Sequence, residues 1–567
     1  MKEPRVIQGL NLLSSYSTVV LESKDTEEVR KLLELVSNFH PIFINSYYFH
    51  ENLLYIETEV PFLWRDSAEY IYKLSIDEMT YKEVEEYILN TLIKQRVASM
   101  STIPTIHSAY LQGHEITPTI IAENIIDGEK PGYSKGYNRH HTLGCGKGSE
   151  IIYSISSSSD SKIGQTIQKD KWSTNLMIDR LQLPIPKWQT IHTKTELEEI
   201  WSSYKKPVVI KPTGLVGGKG VVVGIETLED AKKAFDFALD ATKKHVGKDW
   251  QKKIMIQKQV EGEDYRLLII DGKLEIATKR IPAFVVGDGQ STIEELIELV
   301  NKDPKRDTTN PTHTLKPIII DEPLINYLKQ QNLTIKDIPE EGEKLYVRKV
   351  ASMSQGGVTE DFTDSVSPEI KYIAESIAQS VHAFVLGVDI LCKDLSKPLT
   401  EENGGILEIN MMPEAYLNFF PVIGTDRSDV VDIFVKKLLK HNRTKRIVVV
   451  GTMLEDIPTL LRKSTLVKPY IGKDDVVGEY KDGEIRINGL NINKDLEKWR
   501  AVEGLKVNAS LDTIVIHNRD WEEVKETGLG FNRIDLLIVS KDEVKEDQMK
   551  VVKKYRKKGY IKRIKII

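Results

Sequence analysis

The chain has 567 residues, which at roughly 100–200 residues per domain implies about three or four domains. Hydrophobic residues make up 40% and charged residues 29%, a balance that excludes wholesale disorder and fibrous repeats. A net charge of -5 leaves no overall basic field for nucleic acid, and two cysteines, Cys145 and Cys392, exclude a disulfide scaffold.

No apolar run reaches the roughly 18 residues that span a bilayer, and the N-terminus MKEPRVIQGLNLL has no signal-peptide core. The expectation is a cytoplasmic protein with neither a nucleic-acid nor a membrane partner. Residues 18–21 read as a strand. Residues 24–38 read as a helix from the spacing of Val29, Leu32, Leu33, Leu35 and Val36. Residues 81–95 read as another helix. Together these suggest a small α/β domain over 1–160. The polar, Gly- and Ser-rich stretch 128–161 carries four consecutive serines from Ser156 to Ser159. It reads either as a linker or as a loop whose hydroxyls and amides touch an anionic substrate.

From residue 162 onward the pattern is α+β. A strand at 207–211, a glycine-rich loop at 214–220 and a return strand at 221–225 come first. Thr227 with Asp230 then opens a helix in the manner of a capping box. Strands follow at 254–260 and 265–270, and Asp271-Gly272 is a hairpin turn. Ser291 with Glu294 is expected to cap a helix ending near 301. Ser367 caps another, with Pro368 at its first position and Gly387 at its end. Strands at 388–391 and 406–410 close this section. From 444 a further small α/β unit is expected, with strands at 447–450, 511–516 and 534–539 and a helix over 541–557. The closing run 553–565, with eight Lys or Arg, reads as a solvated face.

Three features carry chemistry. In Thr213-Gly-Leu-Val-Gly-Gly-Lys-Gly220, four glycines in seven residues let backbone amides approach phosphates, and Lys211 and Lys219 flank them. Asp389, Glu408 and Asn410 form an oxygen-rich set, and strand alternation places Glu408 and Asn410 on one face. Carboxylate and amide oxygens suit magnesium, which takes one or two carboxylates plus nucleotide phosphates. In Gln257-Lys258-Gln259-Val260 followed by Glu263-Asp264-Tyr265-Arg266, a strand end can pair with an adenine edge and a later carboxylate with ribose.

The order of these features, with Lys171 opening a helix upstream, resembles the ATP-grasp superfamily and within it the cyanophycin synthetases. The segments SKIGQTIQKDK, VVIKPTGLVGGKGVVVGI, VEGEDYRLLIIDGKL, RIPAFVVGDGQSTIEELIELVNKDPKRD, SQGGVTEDFTD and GILEINMMP carry the resemblance across about 140–435, and TLGCGKGSEII resembles the entry into that domain. The implied architecture is an α+β / α/β multidomain chain. A small N-terminal α/β domain (1–160) and a truncated Mur-ligase-like α/β domain (443–567) flank an ATP-grasp ligase domain (161–442).

The resemblance implies a ligase that uses ATP and magnesium, two ions in number, to activate a carboxylate for attack by an amine. Lys171 and Lys211 would neutralise the phosphates, and Gly217, Gly218, Lys219 and Gly220 would cover them. Gln257, Lys258 and Val260 would meet adenine and Asp264 the ribose. Asp389, Glu408 and Asn410 would hold the metal. Arg266, Arg280 and Arg348 are candidates for stabilising the transferred phosphoryl group, each equally readable as a structural ion pair, and Ser354 to Gly357 for contacting the acyl phosphate or amine. The partners would be a peptide or polymer acceptor and an amino acid or dipeptide donor, β-aspartyl-arginine being one such dipeptide. A homo-oligomer, dimer or tetramer, is expected.

Two departures from the family stand out. Where its Mur-like domain has a phosphate loop close to VTGTNGKT, this chain has Val448-Val-Val-Gly-Thr-Met-Leu-Glu-Asp456, with acids in place of the loop's lysine and threonine. That implies a non-catalytic remnant. Where the family has an arginine after N-A-A-P-G-F, the segment Asn410-Met-Met-Pro-Glu-Ala-Tyr-Leu-Asn418 has none. Met411, Met412 and Tyr416 then either shape an apolar pocket or pack into the core. The alternative to an enzyme is a ligase-derived scaffold that binds peptide.

Overall fold

A computed structural model describes residues 1–97, 100–119, 140–215, 218–245, 254–452, 471–472 and 474–567. The chain divides into two compact units. One comprises Met1–Ser154, Thr309–Thr312 and Val431–Ile567, and the other Ile155–Thr308 and His313–Val430. The first and last sections of the chain share one unit.

Among its described residues that first unit contains two larger sheets with separate cores, besides a smaller one. The N-terminal sheet is antiparallel, in the order Arg5–Ile7, Ser17–Glu22, Leu53–Thr58, Ser46–His50. The helix Glu27–Ser37 buries Val29, Leu32, Leu33 and Val36 against it, and Thr26 accepts the Val29 amide as N-cap. The helix expected over 81–95 forms as Tyr81–Glu86, capped by a Thr80–Glu83 box, and continues as wider π-type turns over Tyr87–Val97. The C-terminal sheet has seven strands. Its parallel part runs Val477–Lys481, Thr513–Asn518, Lys445–Val450, Ile534–Val539, Ile561–Ile566, and a hairpin of Glu484–Ile487 and Leu490–Asn493 forms the other edge. The described part of the stretch 128–161 is not a bare linker: His141–Leu143 pairs with Glu150–Tyr153.

The second unit is built from two larger sheets and a small lobe. A four-stranded antiparallel sheet runs Val222–Ile225, Val208–Pro212, Ile254–Lys258, Trp188–Ile191, and the helix Leu228–His245 packs on it. A five-stranded antiparallel sheet runs Val358–Asp361, Lys273–Ile281, Glu263–Ile270, Val385–Cys392, Gly404–Asn410. Asp271 and Gly272 both have positive φ, 50° and 71°, as a two-residue type I′ turn requires. Tyr265, Leu267 and Ile269 pack with Ile370, Ile373 and Ile377 of the helix Pro368–Ser380 on one face. Alternation therefore sends Asp264 and Arg266 to the other.

Two boundaries differ from the sequence reading. The helix Ile293–Asn301 is capped by Thr292 and Glu295, because Asp288 already accepts both the amide and the hydroxyl of Ser291 (2.7 Å each). The helix after Ser367 stops at Ser380 because the chain turns left-handed at His382 (φ 52°), so Gly387 lies inside the strand Val385–Cys392. Among the described residues no helix is long and apolar enough to cross a membrane.

The N-terminal segment is stitched into the C-terminal core of the same unit. Gln8 and Leu10 donate to the carbonyls of Thr527 and Phe531 (2.9 and 2.8 Å), and Leu529 and Gly530 donate back to Leu10 and Gln8. Gly9, at φ +64°, has no room for a side chain, since a Cβ would lie 2.4 Å from the Phe531 backbone. We expect Gly9→Ala to destabilise the protein by about 2–4 kcal/mol, an amount typical of overpacking combined with backbone strain. Chemical denaturation followed by circular dichroism measures this, and an unchanged midpoint would refute the contact.

Candidate active site

The cavity that concerns chemistry opens on the face of the five-stranded sheet opposite the helix Pro368–Ser380. It has a volume of 740 Å³, and its walls include Asp264, Arg266, Arg280, Asn410, Asn418 and the segment from Val350 to Gln355. Register explains the convergence. Arg266 lies directly across from Asp389, Asp264 across from Arg280, and Asp389 across from Glu408.

A bulge then sets the metal-ligand candidates. The register jumps from Asp389↔Glu408 to Ile390↔Ile406, leaving Leu407 as an extra residue. Ile406 and Ile409 face the core, whereas Glu408 and Asn410 face the site. Without the extra residue Glu408 would follow Ile406 into the core.

Asp389 is buried and bound on both oxygens. Arg266 grips it through two nitrogens, with Nη2 at 2.9 Å from Oδ2, and Arg280 Nη2 lies 3.1 Å from the same oxygen. Arg280 also bonds Asp264 Oδ1 through Nη2 (2.6 Å) and Nε (3.1 Å). Burial alone would raise the Asp389 pKa, but the guanidiniums of Arg266 and Arg280 outweigh it and hold the carboxyl below its usual value. For Asp264 burial wins, and its pKa is raised despite Arg280. The Asn410 amide lies 3.5 Å from both Asp389 Oδ2 and Glu408 Oε1.

The two lysines meet from different elements. Lys171 begins the helix Lys171–Arg180; its Nζ donates to the Leu215 carbonyl (2.6 Å) and stands 3.8 Å from Glu408 Oε2. Lys211, on the strand Val208–Pro212, is buried and donates to Gln257 Oε1 (2.6 Å). Burial, reinforced by the like charge of Lys171 and only partly offset by Glu408, pulls its pKa down to about 8. Gln257 Nε2 is buried with no hydrogen-bond partner.

The other expected residues are distributed less evenly. Gly218 and Lys219 form an exposed turn leading to the buried Gly220, whose Cβ would meet Ala241 at 2.8 Å; Gly217 lies outside the described residues. Lys258 pairs with Glu401 (3.0 Å), and Val260 packs near Gly405. Arg348 does not join the cavity. It is buried beside Asp321 (2.8 Å) and donates to the Ile319 carbonyl (2.7 Å), so it serves the small lobe. Met411 packs in the core, while Met412 is 48% exposed and lines the cavity. Asn418, which the sequence reading did not select, is fully buried at the cavity wall. The one sequence cue was its place eight residues beyond Asn410, in the segment that departs from the family's pattern.

The residues present fit a magnesium–nucleotide group in three respects. Lys171 and Lys211 form a cationic pair short of anions. Gln257 offers an orphaned buried amide donor. Glu408 and Asn410 could supply oxygen ligands as they stand, and Asp389 Oδ1, which accepts from Arg266, keeps a further lone pair.

Residues 168–281 match the model of the phosphoribosylglycinamide synthetase ATP-grasp (A) domain. The chain is 32% identical over 287 residues to cyanophycin synthetase from Synechocystis sp., covering 50% of this chain and 32% of that protein. It is 31% identical over 355 residues to the glutathione biosynthesis bifunctional protein GshAB of Clostridium perfringens, covering 60% of this chain and 42% of that one. A solved structure, the bifunctional glutathione synthetase from Pasteurella multocida, aligns with 24% identity and a TM-score of 0.45 over 64% of this chain and 46% of that one. The chain thus spans less than half the length of the curated relatives named here. The fold is ATP-grasp, and the resemblance to cyanophycin synthetases read from the motifs extends over about half the chain.

Protonated Lys211 is the form that attracts phosphate. Nucleotide affinity is therefore expected to hold below about pH 8 and to fall above it, and Lys211→Met to lose both the affinity and that pH dependence. Because the folded-state pKa lies below the unfolded value of 10.5, this lysine makes the nucleotide-free protein more stable as pH rises from about 8 towards 10.5. Calorimetric titration of ATP from pH 7 to 9.5 checks the first expectation, and an equal decline in Lys211→Met would remove the assignment.

Proposed function

We propose that the chain is an ATP-dependent carboxylate–amine ligase that extends a peptide by an amino acid or dipeptide. The observation that carries this reading is the convergence of Lys171, Asp389, Glu408 and Asn410 with Arg266 and Arg280 around one face of a sheet. In such a reaction a substrate carboxylate oxygen attacks the γ-phosphorus, ADP leaves, and an amine then displaces phosphate from the acyl carbon to form the amide.

Each residue has work in that scheme. Lys171 and Lys211 neutralise phosphate oxygens, and the turn Gly218–Gly220 lies over them. Gln257 and the backbone to Val260 hold adenine. Asp264, whose Oδ1 accepts two guanidinium hydrogens from Arg280, would offer its other oxygen to the ribose. Glu408, Asn410 and Asp389 would hold magnesium, which would supply charge neutralisation along the triphosphate. Arg266 and Arg280 line the cavity where the transferred phosphoryl group would sit, and they stabilise its oxygens electrostatically.

We further propose that 443–567 is a non-catalytic remnant. At the end of the strand Lys445–Val450, Gly451 packs so closely on Ser540 that a Cβ would lie 2.1 Å from its Oγ, with Glu543 Cγ at 3.0 Å. A hydroxyl and a carboxylate-bearing side chain thus occupy the strand end where a triphosphate loop would begin. Met453 to Asp456 lie outside the described residues. With a single ligase site, the substrate is either one kind of amino acid or a preformed dipeptide such as β-aspartyl-arginine.

Glu408→Gln is expected to lower magnesium-dependent ADP release about 100-fold or more while leaving the circular dichroism unchanged. Wild-type protein given ATP, magnesium and a short aspartate-backbone primer, with the dipeptide or single amino acids in parallel, is expected to release ADP and lengthen the primer. Near-normal turnover in Glu408→Gln would sink the metal assignment.

A further inference from the structure

Asn418 lies in the cavity wall with its two amide atoms in unequal states. Its Nδ2 donates to Thr278 Oγ1 (2.9 Å) and to the Arg266 carbonyl (3.4 Å). The carbonyl can only accept, so the orientation of the amide is fixed. Its Oδ1 is buried and has no hydrogen-bond partner. An unpaired buried acceptor costs about 1–3 kcal/mol, and such groups in folded proteins are commonly matched by water or ligand. The residue is held rigidly: the short helix Tyr416–Phe419 carries it, and Thr359 Oγ1 donates to the neighbouring Leu417 carbonyl (2.9 Å).

We infer that Asn418 positions the incoming amine by accepting one of its N–H groups; this deepens the ligase reading above and rests on it. The chemistry of the three reactants selects the amine. Ionised phosphates and carboxylates are acceptors only and bring no hydrogen to Oδ1. Adenine and ribose belong to the strand end near Gln257–Val260. Of the groups that must meet at the acyl carbon itself, the amine is the one that carries N–H donors, and it approaches a carbon held beside Arg266, whose own carbonyl accepts from this same asparagine. The neighbouring wall is Met353, Met412, Pro413 and Leu417, so the amine arrives on an aliphatic stem. Glu414, on the same wall, adds negative charge suited to an ammonium group before it loses its proton.

Hydroxylamine tests this without knowledge of the natural amine. Its nitrogen displaces phosphate from the activated carboxylate, giving a hydroxamate and inorganic phosphate, with the surplus proton passing to solvent. Full-length protein is given ATP, magnesium and a panel of aspartyl, glutamyl and alanyl peptides, and hydroxamate is measured against hydroxylamine concentration. Asn418→Asp keeps an acceptor oxygen and loses the two Nδ2 bonds; Asn418→Leu loses both. The expected result is a hydroxylamine KM raised about five- to tenfold in Asn418→Leu and within about twofold of wild type in Asn418→Asp, with the ATP KM unchanged in both. A purely structural asparagine would affect the two variants alike, and equal hydroxylamine KM values would overturn the inference. No hydroxamate from wild type with any peptide would instead overturn the ligase reading itself.

Discussion

The carboxylate of Asp389 and the two guanidiniums that hold it are the constraint around which the site is organised. The three side chains come from three adjacent strands, so their contact fixes the relative register of Lys273–Ile281, Glu263–Ile270 and Val385–Cys392 at one level of the sheet. Removing one partner from such a buried pair typically costs 3–5 kcal/mol, because the remaining charge is left without compensation. The pairing also shapes what Asp389 can offer a metal: Oδ2 already accepts from both arginines, whereas Oδ1 accepts from Arg266 and keeps a lone pair.

Burial first, and then the like charge of Lys171, pulls the Lys211 pKa down, and the charges around it leave one cation in excess. Two guanidiniums and two ammoniums, from Arg266, Arg280, Lys171 and Lys211, face three carboxylates, from Asp264, Asp389 and Glu408. Two unit charges 4 Å apart interact by about 4 kcal/mol at an effective dielectric constant near 20, so one surplus cation is a substantial strain on the empty site. Lys211 carries it because it is the most buried of the four and has a neutral amide, Gln257, as its partner. A triphosphate, as proposed above, would reverse that balance.

Much of this was legible in the sequence, and the misses have physical causes. Asp271-Gly272 announced its turn because few residue pairs accept positive φ at both positions. Glu408 and Asn410 were placed on one face by simple alternation, but the bulge at Leu407 that turns that face towards the site has no sequence signature, since it arises from pairing with a distant strand. Arg348 was chosen by residue type. Its partner Asp321 lies 27 positions away in the small lobe, and local sequence cannot state which carboxylate an arginine will meet. Asn418 was missed for the converse reason: an asparagine reads as a turn residue until the packing shows its oxygen buried without a donor. The cap of the helix Ile293–Asn301 shifted by one residue because Asp288 captured Ser291 first.

The last section of the chain is also tied by packing to the first. Leu10 and Cys145, from the first section, belong to the same hydrophobic core as Val448, Leu511, Phe531 and Leu537. Buried Glu115, from the loop before the strand Ile116–Pro118, accepts the Asn532 amide (2.7 Å) and pairs with Lys506 (2.7 Å). Loss of the C-terminal sheet would therefore expose apolar surface at about 25 cal/mol per Å² and take both of these partners from Glu115.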